Sequence, residues 1–191
     1  GSITSITSNV AAGTYTVTIT DANGCTLTQS AAVSNIPSPQ VISTTSTTSS
    51  CYQSNNGTAN SQISSGTGPF NFNLNGVINQ SNGVFTNLPA GTGNVLITDN
   101  NGCTATTSFL ITEPNALTLS TSNSSTTCGN SNGVLLLNGS GGTAPYTYSN
   151  NGGTTYQTLT TFNGLIAGTY NLSIMDANGC LGNAVRWTIS L

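Results

Sequence analysis

The feature that most constrains this chain is a phrase it repeats. Ala12–Cys25 reads AGTYTVTITDANGC, Ala90–Cys103 reads AGTGNVLITDNNGC and Ala167–Cys180 reads AGTYNLSIMDANGC. The cysteines keep the same period. Cys25, Cys103 and Cys180 are 78 and 77 residues apart, and Cys51 and Cys128 are 77 apart. A fixed period means that one supersecondary unit has been copied, and the fold must suit every copy. On this period residues 1–38 are the C-terminal half of an incomplete unit, 39–115 a full unit and 116–191 another. The expected joints are Ile36-Pro37-Ser38-Pro39 and Glu113-Pro114-Asn115. Proline there removes a ladder donor and stiffens the link. The spacing leaves Cys25 unpaired in this segment, with its partner expected ahead of residue 1. The chain is therefore expected to start in mid-unit, either as a stretch of a longer array or as a subunit completed by a neighbour.

Within a unit the pattern is that of strands. Tyr15, Val17 and Ile19 alternate with Thr14, Thr16, Thr18 and Thr20, and Tyr170, Leu172 and Ile174 share one face in the same way. Side chains alternate across a strand, so each segment predicts an inward apolar face and an outward polar one. In the last unit the expected strands are 117–121, 133–138, 145–149, 156–161, 169–175 and 183–189. Asn-Gly recurs throughout, and it supplies the positive φ of tight hairpins. No segment has helical periodicity with a cap. The expected fold is all-β: tandem Ig-like β-sandwich repeats of about 77 residues in a linear array.

Charge excludes several functions. Asp21, Asp99, Glu113, Asp176 and Arg186 are the only charged side chains, and the chain has neither Lys nor His. One arginine cannot neutralise a phosphate backbone, so no nucleic acid is expected as partner. Apolar runs such as Val134–Leu137 are too short to span a bilayer, so no membrane insertion is expected. No Ser–His or Ser–Lys nucleophile can be built, and the aspartates fall in separate units, so no catalytic residues, cofactors or enzymatic activity are expected. Lys–Asn isopeptide links are excluded as well. Disorder is not expected, because the apolar residues alternate and net charge is low.

Three candidate sites remain. A sandwich of this size is marginal without a staple. Cys51 and Cys103 share the 52-residue spacing of Cys128 and Cys180, so intra-unit Cys51–Cys103 and Cys128–Cys180 disulfides are expected; free buried thiols are the alternative. Zinc lacks a CxxC or a His. Disulfides imply an oxidising compartment. Second, Asp21, Asp99 and Asp176 each open an Asp-x-Asn-Gly turn that resembles part of a calcium loop. The closing Glu is missing, and an Asx-stabilised hairpin turn is the favoured reading. Third, Tyr146, Tyr148, Tyr156 and Trp187 could stack on sugars, although aromatics in such a unit more often pack in the core.

The last unit runs Cys128-Gly-Asn-Ser-Asn-Gly, Gly141-Gly-Thr-Ala-Pro-Tyr-Thr-Tyr148, Leu165-Ile-Ala-Gly-Thr-Tyr170 and Asp176-Ala-Asn-Gly-Cys180. This combination resembles the SprB-type repeat of giant cell-surface adhesins in gliding Bacteroidota, and the resemblance covers half a unit plus two. Gly93 stands where the other copies have Tyr15 and Tyr170, and Phe70 where the last has Tyr146. The resemblance implies an Ig-like sandwich in a secreted filament, type IX secretion, an extracellular place on the bacterial cell surface, and roles in adhesion and gliding motility. The expected partners are neighbouring repeats of the same chain or identical subunits in a filament, with surface glycans as a further candidate. A polymerising pilin-like subunit and a glycan-binding module are the alternative functions.

Overall fold

The computed structural model describes residues 9–127 and 130–190, and the chain there is all-β. Three sets of strands follow one another. The first is a hairpin of β1 (Gly13–Thr20) and β2 (Thr26–Val33). The second holds β3 (Val41–Ser46), β4 (Gly57–Ile63), β5 (Asn71–Leu74), β6 (Ile78–Gln80), β7 (Val84–Leu88), β8 (Gly91–Thr98) and β9 (Thr104–Ile111). The third holds β10 (Thr118–Ser124), β11 (Gly133–Ser140), β12 (Thr147–Ser149), β13 (Thr161–Leu165), β14 (Gly168–Met175) and β15 (Val185–Ile189). All ladders are antiparallel. The second set forms two sheets, ordered β3-β4-β7 and β6-β5-β8-β9, and the third forms β10-β11-β13 and β12-β14-β15.

In the second and third sets the two sheets face each other across one apolar core. Ala59, Phe85 and Leu88 of one sheet meet Phe72, Leu74, Val95, Ile97, Phe109 and Ile111 of the other. In the third set Leu135 and Leu137 meet Tyr148, Leu172, Ile174 and Ile189. The period-2 alternation puts these residues inward: in β8, Val95 and Ile97 are buried while Leu96 between them is exposed. Outward faces are tied by hydroxyls rather than charges. Thr16 and Ser30, Thr118 and Ser140, and Thr169 and Thr188 pair across strands with oxygens 3.1, 2.8 and 3.2 Å apart.

Two expectations change. Tyr15, Val17 and Ile19, expected inward, are 38%, 59% and 61% exposed, because no second sheet faces β1–β2 among the described residues. Val95 and Ile97, the counterparts of Val17 and Ile19, are 1% and 0% exposed. The expected strand at 156–161 instead forms at Thr161–Leu165. The segment before it crosses between sheets: Gln157 exchanges backbone bonds of 2.8 and 2.9 Å with Tyr148, and Thr160 then accepts from Leu137 N–H in the other sheet at 2.8 Å. A chain that changes sheets cannot hold one alternating face.

The middle copy keeps its core despite Gly93. Gly93 lies opposite Phe109 in the β8–β9 ladder, and a Cβ on Gly93 would meet the Phe109 ring. Tyr15 lies opposite Ala31, and Tyr170 opposite Trp187. The aromatic bulk has moved to the neighbouring strand in the middle copy. Where tyrosine is present its hydroxyl donates to a backbone carbonyl four residues earlier, Tyr15 to Ala11 at 2.7 Å and Tyr170 to Ile166 at 2.9 Å.

Candidate functional site

The Asp-x-Asn-Gly phrase makes the same turn three times. Asp21 Oδ1 accepts from the N–H groups of Asn23 and Cys25 at 2.9 and 2.8 Å. Asp99 Oδ1 does so from Asn101 and Cys103, both at 2.9 Å, and Asp176 Oδ1 from Asn178 and Cys180, both at 2.9 Å. Gly24, Gly102 and Gly179 take φ of 86°, 80° and 80° to close the hairpin. In the two-sheet sets the second oxygen is used as well. Asp99 Oδ2 accepts from Thr67 N–H at 3.1 Å, and Asp176 Oδ2 from Thr143 N–H at 2.8 Å. Each aspartate thus fastens its hairpin, and Asp99 and Asp176 also hold the loop that leads into β5 or β12. Burial works to raise the Asp99 pKa, but the backbone donors of Thr67, Cys103 and Asn101 outweigh it and leave the carboxyl below its ordinary value. The partners of these candidate calcium residues are backbone donors, and each turn brings one carboxylate.

The cysteine after each turn leads to the main correction. Cys51 is bonded to Cys180, with Cα atoms 5.7 Å apart, and not to Cys103 in its own sequence unit. Cys103 and Cys25 are free thiols, Cys103 half-buried and Cys25 exposed. The other expected pair, Cys128–Cys180, is overturned by the same bond, because Cys180 is taken by Cys51; Cys128 itself lies outside the described residues. Strand direction explains the outcome. The Cys51 loop sits at the far end of β9, where Ser49 N–H donates to Thr112 C=O at 2.8 Å. Cys103 immediately precedes β9. Eight residues of strand separate the two by about 25 Å, and a disulfide needs Cα atoms within about 7 Å. Cys180, in the β14–β15 turn, meets the downstream end of the second set instead.

The disulfide lies within a built junction. The cysteine loop is held from inside by Ser49, whose hydroxyl donates to Ser54 C=O at 3.0 Å, and by Asn56 Oδ1, which accepts from Ser50 N–H at 3.1 Å. Glu113 in the linker accepts from Gln53 N–H at 2.6 Å. Across the junction Asn178 Nδ2 donates to Ser50 C=O at 3.0 Å while also touching Thr143 Oγ1 at 3.1 Å. Two clefts flank this contact. One of about 350 Å³ is lined by Tyr52, Leu117 and Leu181 beside the disulfide. One of about 380 Å³ is lined by Ser50, Pro114, Thr143 and Asn178. Ser50 and Gln53 were not singled out in the sequence; Glu113 was read only as part of a joint and Asn178 only as part of its turn. Asn178 carried a usable signal: Asn23, Asn101 and Asn178 recur while the residue before them changes between Ala and Asn, and the turn itself needs only the Asp and Gly.

The four candidate sugar-stacking aromatics do not form one open platform. Tyr148 is buried, and Tyr146 and Trp187 pack against the core. Tyr146 donates to Gly141 C=O at 2.6 Å, and the Tyr156 hydroxyl lies 3.1 Å from Ser173 Oγ.

A scan against protein-family models and a search of curated proteins found no match to this chain.

Proposed function

We propose that this chain is a structural stretch of a long extracellular adhesin or filament, made of tandem Ig-like sandwiches of the SprB type. The observation that carries this reading is the covalent joint. Cys51 and Cys180 tie one strand set to the next, so a pull along the chain passes through a sulfur–sulfur bond rather than through the sheets it encloses. A cross-link of this kind suits a load-bearing stalk, and it suits an oxidising compartment such as the cell exterior. The tyrosine hydroxyls bonded back to Ala11 and Ile166 carbonyls are similar to the tyrosine corner of Ig-like sandwiches, which supports that fold assignment. Adhesion, export by type IX secretion and a part in gliding follow from the resemblance. The fibre presents an uncharged hydroxyl-rich surface, so contacts between neighbouring repeats should depend little on salt.

One observation favours a second reading, a pilin-like subunit completed by an identical neighbour: the open apolar face of β1–β2, where Val17, Ile19 and Leu27 are exposed. Antibodies against this chain, applied to intact cells of its source, test the first reading. Gold label is expected on filaments standing away from the envelope. Label seen only after permeabilisation would contradict it.

A further inference from the structure

Two features of the molecule are incomplete in the same direction. The first is the β1–β2 face. Val17, Ile19 and Val33 occupy the repeat positions of Val95, Ile97 and Ile111, which are buried beneath the β3-β4-β7 sheet. The second is Cys103. It sits in the same Asx turn as Cys180, with the same N–H bond to its aspartate at 2.9 Å, yet it is a free thiol. Cys180 finds its partner in the loop that follows the first strand of the preceding set, on the end of that set next to the joint. The repeat turns this pairing into a rule: the turn cysteine of one unit takes the loop cysteine of the unit before it.

We infer that one element satisfies both features: a first-half strand set of the same kind as residues 39–78, leading into β1 along the same polypeptide. The inference rests on the repeat reading proposed above. Residues 1–12 stand in the repeat where residues 79–90 stand, so a segment matching 39–78 joins Gly1 in register. Its sheet covers Val17 and Ile19. Its loop cysteine, at the position of Cys51, comes to Cys103, and Asn101 takes the role that Asn178 plays on Ser50. The opposite end of the chain repeats the receiving loop. Thr126, buried like Ser49, has its N–H on Ser190 C=O at 3.2 Å, as Ser49 has on Thr112, and Thr127 N–H donates to Asn132 Oδ1 at 3.1 Å, as Ser50 does to Asn56.

The consequence is a chain of overlapping rings. The Cys51–Cys180 ring begins before Cys103, where the preceding ring closes, so residues 51–103 lie inside both. Every residue of an interior unit is then enclosed by at least one disulfide, and the backbone that an unfolded repeat can add under load falls from the 77 residues of the period to the 52 that separate Cys51 from Cys103.

The bond forms by exchange with a small-molecule disulfide such as oxidised glutathione. Two protein S–H bonds break and one S–S bond forms; the small disulfide is cleaved, taking both protons and both electrons to leave two thiols. The test is the full chain with a copy of residues 39–78 fused ahead of Gly1, refolded in that buffer. Non-reducing peptic mapping is expected to link the added cysteine to Cys103, with loss of Cys103 alkylation, while the unextended chain remains alkylated there. Backbone amides of β1–β2 are expected to exchange more slowly with deuterium in the extended chain. Cys25→Ser is expected to leave the link intact, and Cys103→Ser to free the added cysteine while the amide protection persists. An added cysteine linked to Cys25 or left free, with β1–β2 protected, overturns the staple and leaves the repeat reading standing. Unprotected β1–β2 amides overturn both. A disulfide-linked dimer of the unextended chain through Cys103 would make a second copy the occupant and overturn the inference.

Discussion

A single aspartate per repeat does more than close a turn. Asp176 is buried and answers three backbone N–H groups, whereas Asp21 answers two in an exposed hairpin. Removing a charged acceptor strands its donors, at about 2 kcal/mol in a buried setting. Asp176→Ala is therefore expected to lower chain stability in urea by about that amount, and Asp21→Ala to leave the main transition in place. Asp99 adds a pH dependence. Its folded pKa lies below the unfolded value of about 3.9, so the unfolded chain binds the proton more tightly. The stability it contributes is complete above the unfolded value and is lost as pH falls through the folded one. Acid titration of stability is expected to fall more steeply below about pH 4 in the parent than in Asp99→Asn. Gly93 is a second residue whose role is local. A methyl there meets the Phe109 ring, so Gly93→Ala is expected to cost about 1–3 kcal/mol in urea unfolding. Gly93→Tyr with Phe109→Ala, which reproduces the Tyr15–Ala31 pair, is expected to be more stable than Gly93→Tyr alone.

At the scale of elements, the same strand pair lives in two environments. β8–β9 is half of a closed core, and β1–β2 presents the equivalent residues to solvent. Ile97→Ala is expected to cost about 2–5 kcal/mol, and Ile19→Ala about 0.5 kcal/mol or less, both read from urea unfolding of the full chain. The alternation in β14 with its inward face, and the Asx turns, were legible in the sequence because each is set by neighbours two to four residues away. The strand at Thr161–Leu165 was less so. Its position depends on where the chain leaves one sheet for the other, which Gln157 and Thr160 settle through bonds to distant strands. Disulfide partners were illegible for a different reason. Any pairing that repeats with the period gives matched spacings, within a unit or between units. Choosing between them needs to be known which end of β9 each cysteine occupies.

For the whole molecule, the joint sets the mechanical behaviour. Cys51 and Cys180 are separated by 129 residues, and their bond removes that length from the extensible chain. In single-molecule pulling from the two termini, Cys51→Ser with Cys180→Ser is expected to release about 450 Å more contour length than the oxidised parent. Equal lengths would mean that the ring carries no load. The joint also explains how a nearly uncharged chain can be directional: Asn178 on one set reads Ser50 on the one before it, with Glu113 fixing the loop between them. The most direct measurement is a non-reducing peptic map of the oxidised full chain after alkylation of free thiols. The expected result is a peptide pair joining Cys51 to Cys180, with Cys25 and Cys103 alkylated. A pair joining Cys51 to Cys103 would contradict the covalent joint and return each disulfide to the interior of its own unit.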